Sequence, residues 1–205
     1  MNNEGEAINQ KVVLHTGAGP KGSGAYYPPI FEGWKEIRFD INPACEPDIV
    51  GSIVNMKEVA DESVDAVYSS HNIEHVHAHQ VDSVLKEFHR VLRPDGFALI
   101  TCPDLQTVCQ LIVADKLETV VYTSPSGPIR PLDIIYGHSE YIARGNTFMQ
   151  HKTGFTRTTL TQHLQAGGFI SIAAKRRRLD LWAIATKVKV KAEYIRDMAS
   201  RAMPS

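Results

Sequence analysis

A chain of 205 residues with a formal net charge of -1 and 43% hydrophobic residues is sized for one compact domain with a proper core. The near-neutral balance gives no electrostatic argument for a nucleic acid or an anionic membrane as partner. Cys45, Cys102 and Cys109 are odd in number and form no C-x-x-C, which argues against a disulfide framework and a thiolate zinc site. The opening MNNEGEAINQ lacks the basic and apolar regions of a signal peptide, and no apolar run approaches the ~20 residues of a membrane span, so a reducing cytoplasm is the expected setting.

In chain order, residues 11–16 read as a short strand that runs into Gly17-Ala18-Gly19-Pro20-Lys21-Gly22. Gly17, Gly19 and Gly22 satisfy G-x-G-x-x-G, but a dinucleotide fingerprint also requires a helix to start there and receive pyrophosphate on its N-terminus. Ser23, Gly24, Tyr26, Tyr27, Pro28 and Pro29 oppose that helix. The loop therefore suits a ligand without a phosphate to cradle. A second strand over 35–41 carries Asp40 at its end, and a third is expected over 48–54.

Residues 64–70 form a short, mostly apolar run expected of a strand buried on both faces. Val81, Val84, Leu85, Phe88, Val91 and Leu92 then recur at helical spacing, with Lys86, Glu87 and Arg90 opposite. Arg93-Pro94-Asp95-Gly96 has the residue order of a type I turn, and 97–102 is another buried strand closed by Pro103. Two strands joined by such a helix are parallel, with a right-handed crossover.

DAVYSSHNIEHV followed by LKEFHRVLRPDGFALITCPD resembles the fourth- and fifth-strand region of class I S-adenosylmethionine-dependent methyltransferases of the type 11 group. PDL, IYGH, HKTGFT and LWAIATK are shared more narrowly with small bacterial predicted methyltransferases, and the resemblance spans most of 12–187. It implies an α/β, Rossmann-like fold: a mostly parallel seven-stranded sheet with an antiparallel last strand and helices on both faces. It also implies S-adenosyl-L-methionine as cofactor. Gly17 and Gly19 would wrap its amino-acid part, Asp40 would accept from the ribose hydroxyls, and Ile41, Ser52 and Ile53 would border adenine. Ser70 and His71 would face the methyl group and its acceptor, since ligands gather outside the carboxyl ends of parallel strands. The chain departs from the pattern twice, with His15 and Ser52 where relatives carry acids, and a non-catalytic relative that keeps the fold for binding is the rival reading.

His71-Asn72-Ile73-Glu74-His75 also matches H-x-x-E-H, the inverted zincin motif of a zinc hydrolase. The motif must lie within a helix and find a third ligand downstream, whereas His71 follows a strand directly, so no metal site is expected. Glu74 and His75 are assigned capping and packing, and His77 and His79 solvent.

Residues 104–153 form an insertion with a helix over 105–121 and a Pro- and Gly-rich passage too apolar for a disordered linker. It reads as a lid over the acceptor, with Tyr136, His138 and His151 as candidate acid-base groups beside His71, because a neutral imidazole can accept a proton near pH 7. The acceptor is expected to be a small molecule or glycan. A helix over 156–166 and strands over 169–174 and 181–186 complete the domain, joined by the basic run Lys175-Arg176-Arg177-Arg178, read as a solvated turn. Residues 188–205 form a helical tail whose stripe of Tyr194, Ile195 and Met198 docks on the domain or on a second copy as a homodimer.

Overall fold

A computed structural model describes residues 10–24 and 26–203. In chain order the strands and helices are β1 (Val12–Thr16), β2 (Lys35–Asp40), β3 (Ile49–Val50), β4 (Val64–Ser70), α1 (Val81–Val91), β5 (Leu92–Pro103), α2 (Leu105–Val113), β6 (Tyr122–Ser124), β7 (Gly127–Ile129), α3 (Pro131–Tyr136), α4 (Ser139–Ala143), α5 (Arg157–Ala166), β8 (Ser171–Arg177), β9 (Asp180–Thr186) and α6 (Ala192–Ala202). Seven strands make one sheet in the order β3-β2-β1-β4-β5-β9-β8, and β6 pairs only with β7. The first five strands are parallel, and β9 runs antiparallel to both its neighbours, as expected. No helix among the described residues is long and apolar enough to cross a membrane.

Alternation along β5 builds two cores. Ala98, Ile100 and Cys102 face one side with Val84, Leu85 and Phe88 of α1 and Leu160 and Leu164 of α5. Phe97 and Leu99 face the other, with Tyr68, Trp182 and the Ile195 and Met198 side of α6. The tail thus docks on its own sheet; Tyr194, expected in its apolar stripe, is exposed. Because β1 has β2 on one side and β4 on the other, the chain order reverses there, and the crevice beyond the carboxyl ends of β1 and β4 is where this architecture receives ligands.

Several expected boundaries move, each for a local reason. Arg93–Gly96 does not form a free-standing turn between helix and strand. Val64 pairs with Leu92 and Ala66 with Phe97, so these residues bulge from β5, with Arg93 Nη1 donating to Asp65 Oδ2 at 2.7 Å. β3 stops at Val50, because Ser52 pairs with Asn55 in a turn and its Oγ accepts from Val54 N at 3.3 Å. α2 stops at Val113, since Asp115 turns left-handed (φ 58°) and Lys116 N closes on Leu111 O at 3.0 Å. β8 starts at Ser171 and continues through Lys175 and Arg176 to Arg177, so most of the expected basic turn is strand, and Arg176 pairs with the fully buried Asp104.

Candidate active site at the switch point

The carboxyl ends of β1, β2 and β4 open on a cavity of about 580 Å³. At one end the backbone after β1 turns left-handed at Gly17 (φ 66°) and Gly19 (φ 60°), a conformation that L side chains adopt at a steric cost. A Cβ on Gly17 would lie 2.5 Å from Asn72 Cγ, so this glycine also lets the β1 loop meet the segment after β4. Asp40, buried at the end of β2, clamps the loop: its Oδ2 accepts from Gly19 N at 2.9 Å and its Oδ1 from Asn42 N at 2.8 Å. Arg38, two residues earlier, donates to Gly19 O and, at 3.0 Å, to Glu46 O. Asp40 and Arg38 therefore hold the two polar groups of Gly19 from one strand. The Arg38 contact was not anticipated, because nothing in its local sequence distinguishes it from a surface arginine.

Ile41, Ser52 and Ile53 line the same end of the cavity, and Ile41 leaves 49% of its surface open. His15 does not enter it. That ring borders a smaller hollow behind the loop, with Nδ1 2.7 Å from Glu36 Oε1 and its face 4.7 Å from Tyr68.

The other end of the cavity is closed by His71, Asn72 and His75 from the β4 side and by Tyr141, Phe148 and Lys152 from the insertion. His71 is left-handed (φ 46°), and its ring lies between two carboxylates, Nδ1 3.4 Å from Glu74 Oε1 and Nε2 3.7 Å from Asp180 Oδ1. Desolvation opposes charge on the imidazole, but Glu74 and Asp180 outweigh it and raise the pKa. For Glu74 desolvation acts upward, and the contact with His71 overrides it to hold the carboxyl well below its usual range. The two carboxylates thus favour the protonated form of His71, which runs against its expected use as a proton acceptor.

The other expected groups divide. Ser70 lies at the end of β4 outside the cavity wall. Tyr136 is 64% exposed and does not line the cavity, so as an acid-base candidate it is misplaced. His138 packs its ring 4.8 Å from Tyr141, one layer behind the lining, and neither of its nitrogens has a hydrogen-bond partner among the described residues. His151 is also behind the lining, against His75 (ring centroids 4.8 Å apart), and burial lowers its pKa so that it stays neutral. Glu74, expected to cap and pack, lies in a 3-10 turn as a carboxylate 1% exposed. Asn72, His75, Tyr141, Phe148 and Lys152 were missed as lining because they lie in loops and short helices with no periodic signal.

A family model described as a methyltransferase domain matches residues 33–100. No curated protein matches. Among solved structures, a SAM-dependent methyltransferase from Archaeoglobus fulgidus is 18% identical, with 86% of each chain covered and a TM-score of 0.54. The 1,6-didemethyltoxoflavin-N1-methyltransferase of Burkholderia thailandensis, solved with bound 1,6-didemethyltoxoflavin and S-adenosylhomocysteine, is 19% identical over 88% of this chain and 72% of that one, with a TM-score of 0.52. The CMeT domain of the citrinin polyketide synthase is 14% identical over 88% of this chain, which spans about half (47%) of that structure, with a TM-score of 0.56.

This chain has the class I methyltransferase fold. The cavity occupies the crevice that the methyltransferase fold opens at its strand-order reversal, with the glycine loop and Asp40 at one end and the insertion over the other.

Proposed function

We propose that this chain is an S-adenosylmethionine-dependent methyltransferase acting on an oxygen or nitrogen of a small molecule or glycan. The observation that carries the reading is one cavity joining the Gly17–Asp40 end to the His71–Lys152 end, so donor and acceptor share a space. The residues present fit the cofactor. Asp40 uses one hydrogen bond at each oxygen and retains lone pairs for a ribose diol. The exposed face of Ile41, with Ile53, offers an apolar surface for adenine, and nothing lies within 4 Å of the place a Cβ on Gly19 would fill. When bound, the cofactor supplies a methyl group on a sulfonium for in-line displacement by the acceptor. Gly17, Gly19, Asp40, Ile41, Ser52 and Ile53 would hold it, with His71, the residue after β4, on the side of the transferred group.

The chain's remaining contribution is positioning and exclusion of water, which suffice to accelerate transfer to an already nucleophilic atom. Tyr141, Phe148 and Met149 wall the acceptor end, and Lys152 adds one cationic donor there, while the charge on His71 is offset by Glu74 and Asp180. Calorimetric titration of ligand-free protein with S-adenosylhomocysteine tests the reading. It requires saturable one-to-one binding that Asp40→Ala abolishes in a protein that still folds. Absence of binding to folded wild-type chain would leave the fold without this activity.

A further inference from the structure

Outside the cofactor end, the most unusual group in the molecule is Glu74. It is 1% exposed, and neither carboxylate oxygen has a hydrogen-bond partner among the described residues. Its ion-pair partner is His71, whose Nδ1 stands 3.4 Å from Oε1, which leaves most of the carboxylate's acceptor capacity unused, and proteins usually satisfy a buried carboxylate with hydrogen bonds, ion pairs or a metal. Two further histidines meet it: one ligand atom from each of Glu74, His75 and His151 lies within 4.8 Å of the other two, and His151 Nε2 is 4.0 Å from Glu74 Oε1.

Their hydrogen bonds prepare both rings to ligate. His151 Nδ1 is 2.7 Å from Ile134 O and His75 Nδ1 is 3.0 Å from Gln150 O. A carbonyl oxygen only accepts, so in each neutral ring Nδ1 carries the proton and Nε2 presents a lone pair. An outer hydrogen bond from the second nitrogen to a backbone carbonyl is how proteins orient metal-binding imidazoles.

We propose that Glu74, His75 and His151 bind a divalent transition ion of the zinc class at the acceptor end of the cavity. Two imidazoles and one carboxylate suit such an ion, and three protein ligands leave a position open. Donor atoms about 2.0–2.1 Å from a tetrahedral ion stand about 3.4 Å apart, so separations of up to 4.8 Å must close by as much as about 1.4 Å. His75, half-buried at the cavity wall, has room to do so. The set differs from the H-x-x-E-H reading. Ile73–His75 is a single 3-10 turn, not an α-helix, and the partner of Glu74 and His75 is His151 from the insertion in place of His71. The ion would tie the insertion to the turn after β4, where Lys152 N already donates to Glu74 O at 2.8 Å. Binding at these groups is independent of what the cavity methylates.

Chelator-stripped chain is titrated with cobalt(II), whose visible d–d absorption reports coordination, and the bound ion is then displaced with zinc. The expected result is saturation at one cobalt per chain, weakened by roughly tenfold or more in His75→Ala and in His151→Ala and unchanged in the surface variant His79→Ala. Circular dichroism accompanies each variant; should His151→Ala fail to fold, His75→Ala, at a half-buried position, decides. No saturable binding, or binding that folded His75→Ala retains at full strength, refutes the site. Titration of the metal-free and cobalt-loaded forms with S-adenosylhomocysteine separates this result from the methyltransferase reading, since either can fail while the other holds.

Discussion

Gly17 and Gly19 are both left-handed, yet alanine should be tolerated at them very differently. In each, alanine brings the αL penalty of about 1–2 kcal/mol. At Gly19 nothing lies within 4 Å of the new methyl, so the cost stops there. At Gly17 the methyl would sit 2.5, 2.7 and 2.8 Å from Asn72 Cγ, Oδ1 and Cβ, and overpacking adds about 1–3 kcal/mol. The sum is roughly 2–5 kcal/mol, and at about 2–4 °C per kcal/mol for a chain of this size, Gly17→Ala should melt several degrees below Gly19→Ala. Thermal denaturation followed by circular dichroism, with Asn72→Gly combined in a double-mutant cycle, isolates the contact, glycine being needed because the Asn72 Cβ is itself one of the three close atoms. Removing the Asn72 side chain should recover about 1–3 kcal/mol in the Gly17→Ala background. Equal melting temperatures for the two glycine variants, or no recovery in the double variant, would show that the loop after β1 does not rest on the segment after β4 as described.

Other outcomes follow from single contacts. Arg176→Ala leaves Asp104 buried without its guanidinium, still bonded only to Gln106 N and Thr107 Oγ1, and should cost about 3 kcal/mol, more than Asp104→Asn, measured by urea denaturation. Phe88, fully buried between α1 and the sheet, should cost about 3–5 kcal/mol on truncation to alanine by the same assay. Burial raises the Tyr68 phenol to about 12, against a partial lowering by Ser70, so its contribution is intact below the unfolded value of about 10 and is lost as pH rises from there through 12. The melting temperature should fall over that window, and Tyr68→Phe should flatten part of the slope; Tyr122, also raised to about 12, contributes another part.

The sheet was legible because its signals are local. The helix over Val81–Val91 shows its buried face at every third or fourth residue, and Asp40 could be placed because it ends a strand that follows a glycine loop. The acceptor end was not legible, for two physical reasons. Its lining comes from loops and short helices of the insertion, where burial follows from tertiary packing and leaves no period. Its polar groups are paired across long stretches of chain: Glu74, read from the sequence as a capping and packing residue, meets His151 from the insertion, and no local pattern marks that contact. His71 shows the consequence most clearly, since the flanking carboxylates of Glu74 and Asp180, distant in sequence or unmarked by any pattern, raise its pKa.

The most direct measurement is a crystal structure of the chain grown with S-adenosylhomocysteine. The account predicts both ribose hydroxyls within hydrogen-bond distance of the Asp40 carboxylate, adenine against Ile41 and Ile53, and the sulfur directed toward the His71 end of the cavity. A ligand bound elsewhere, or a cavity that the insertion fills so that no ligand enters, would contradict it.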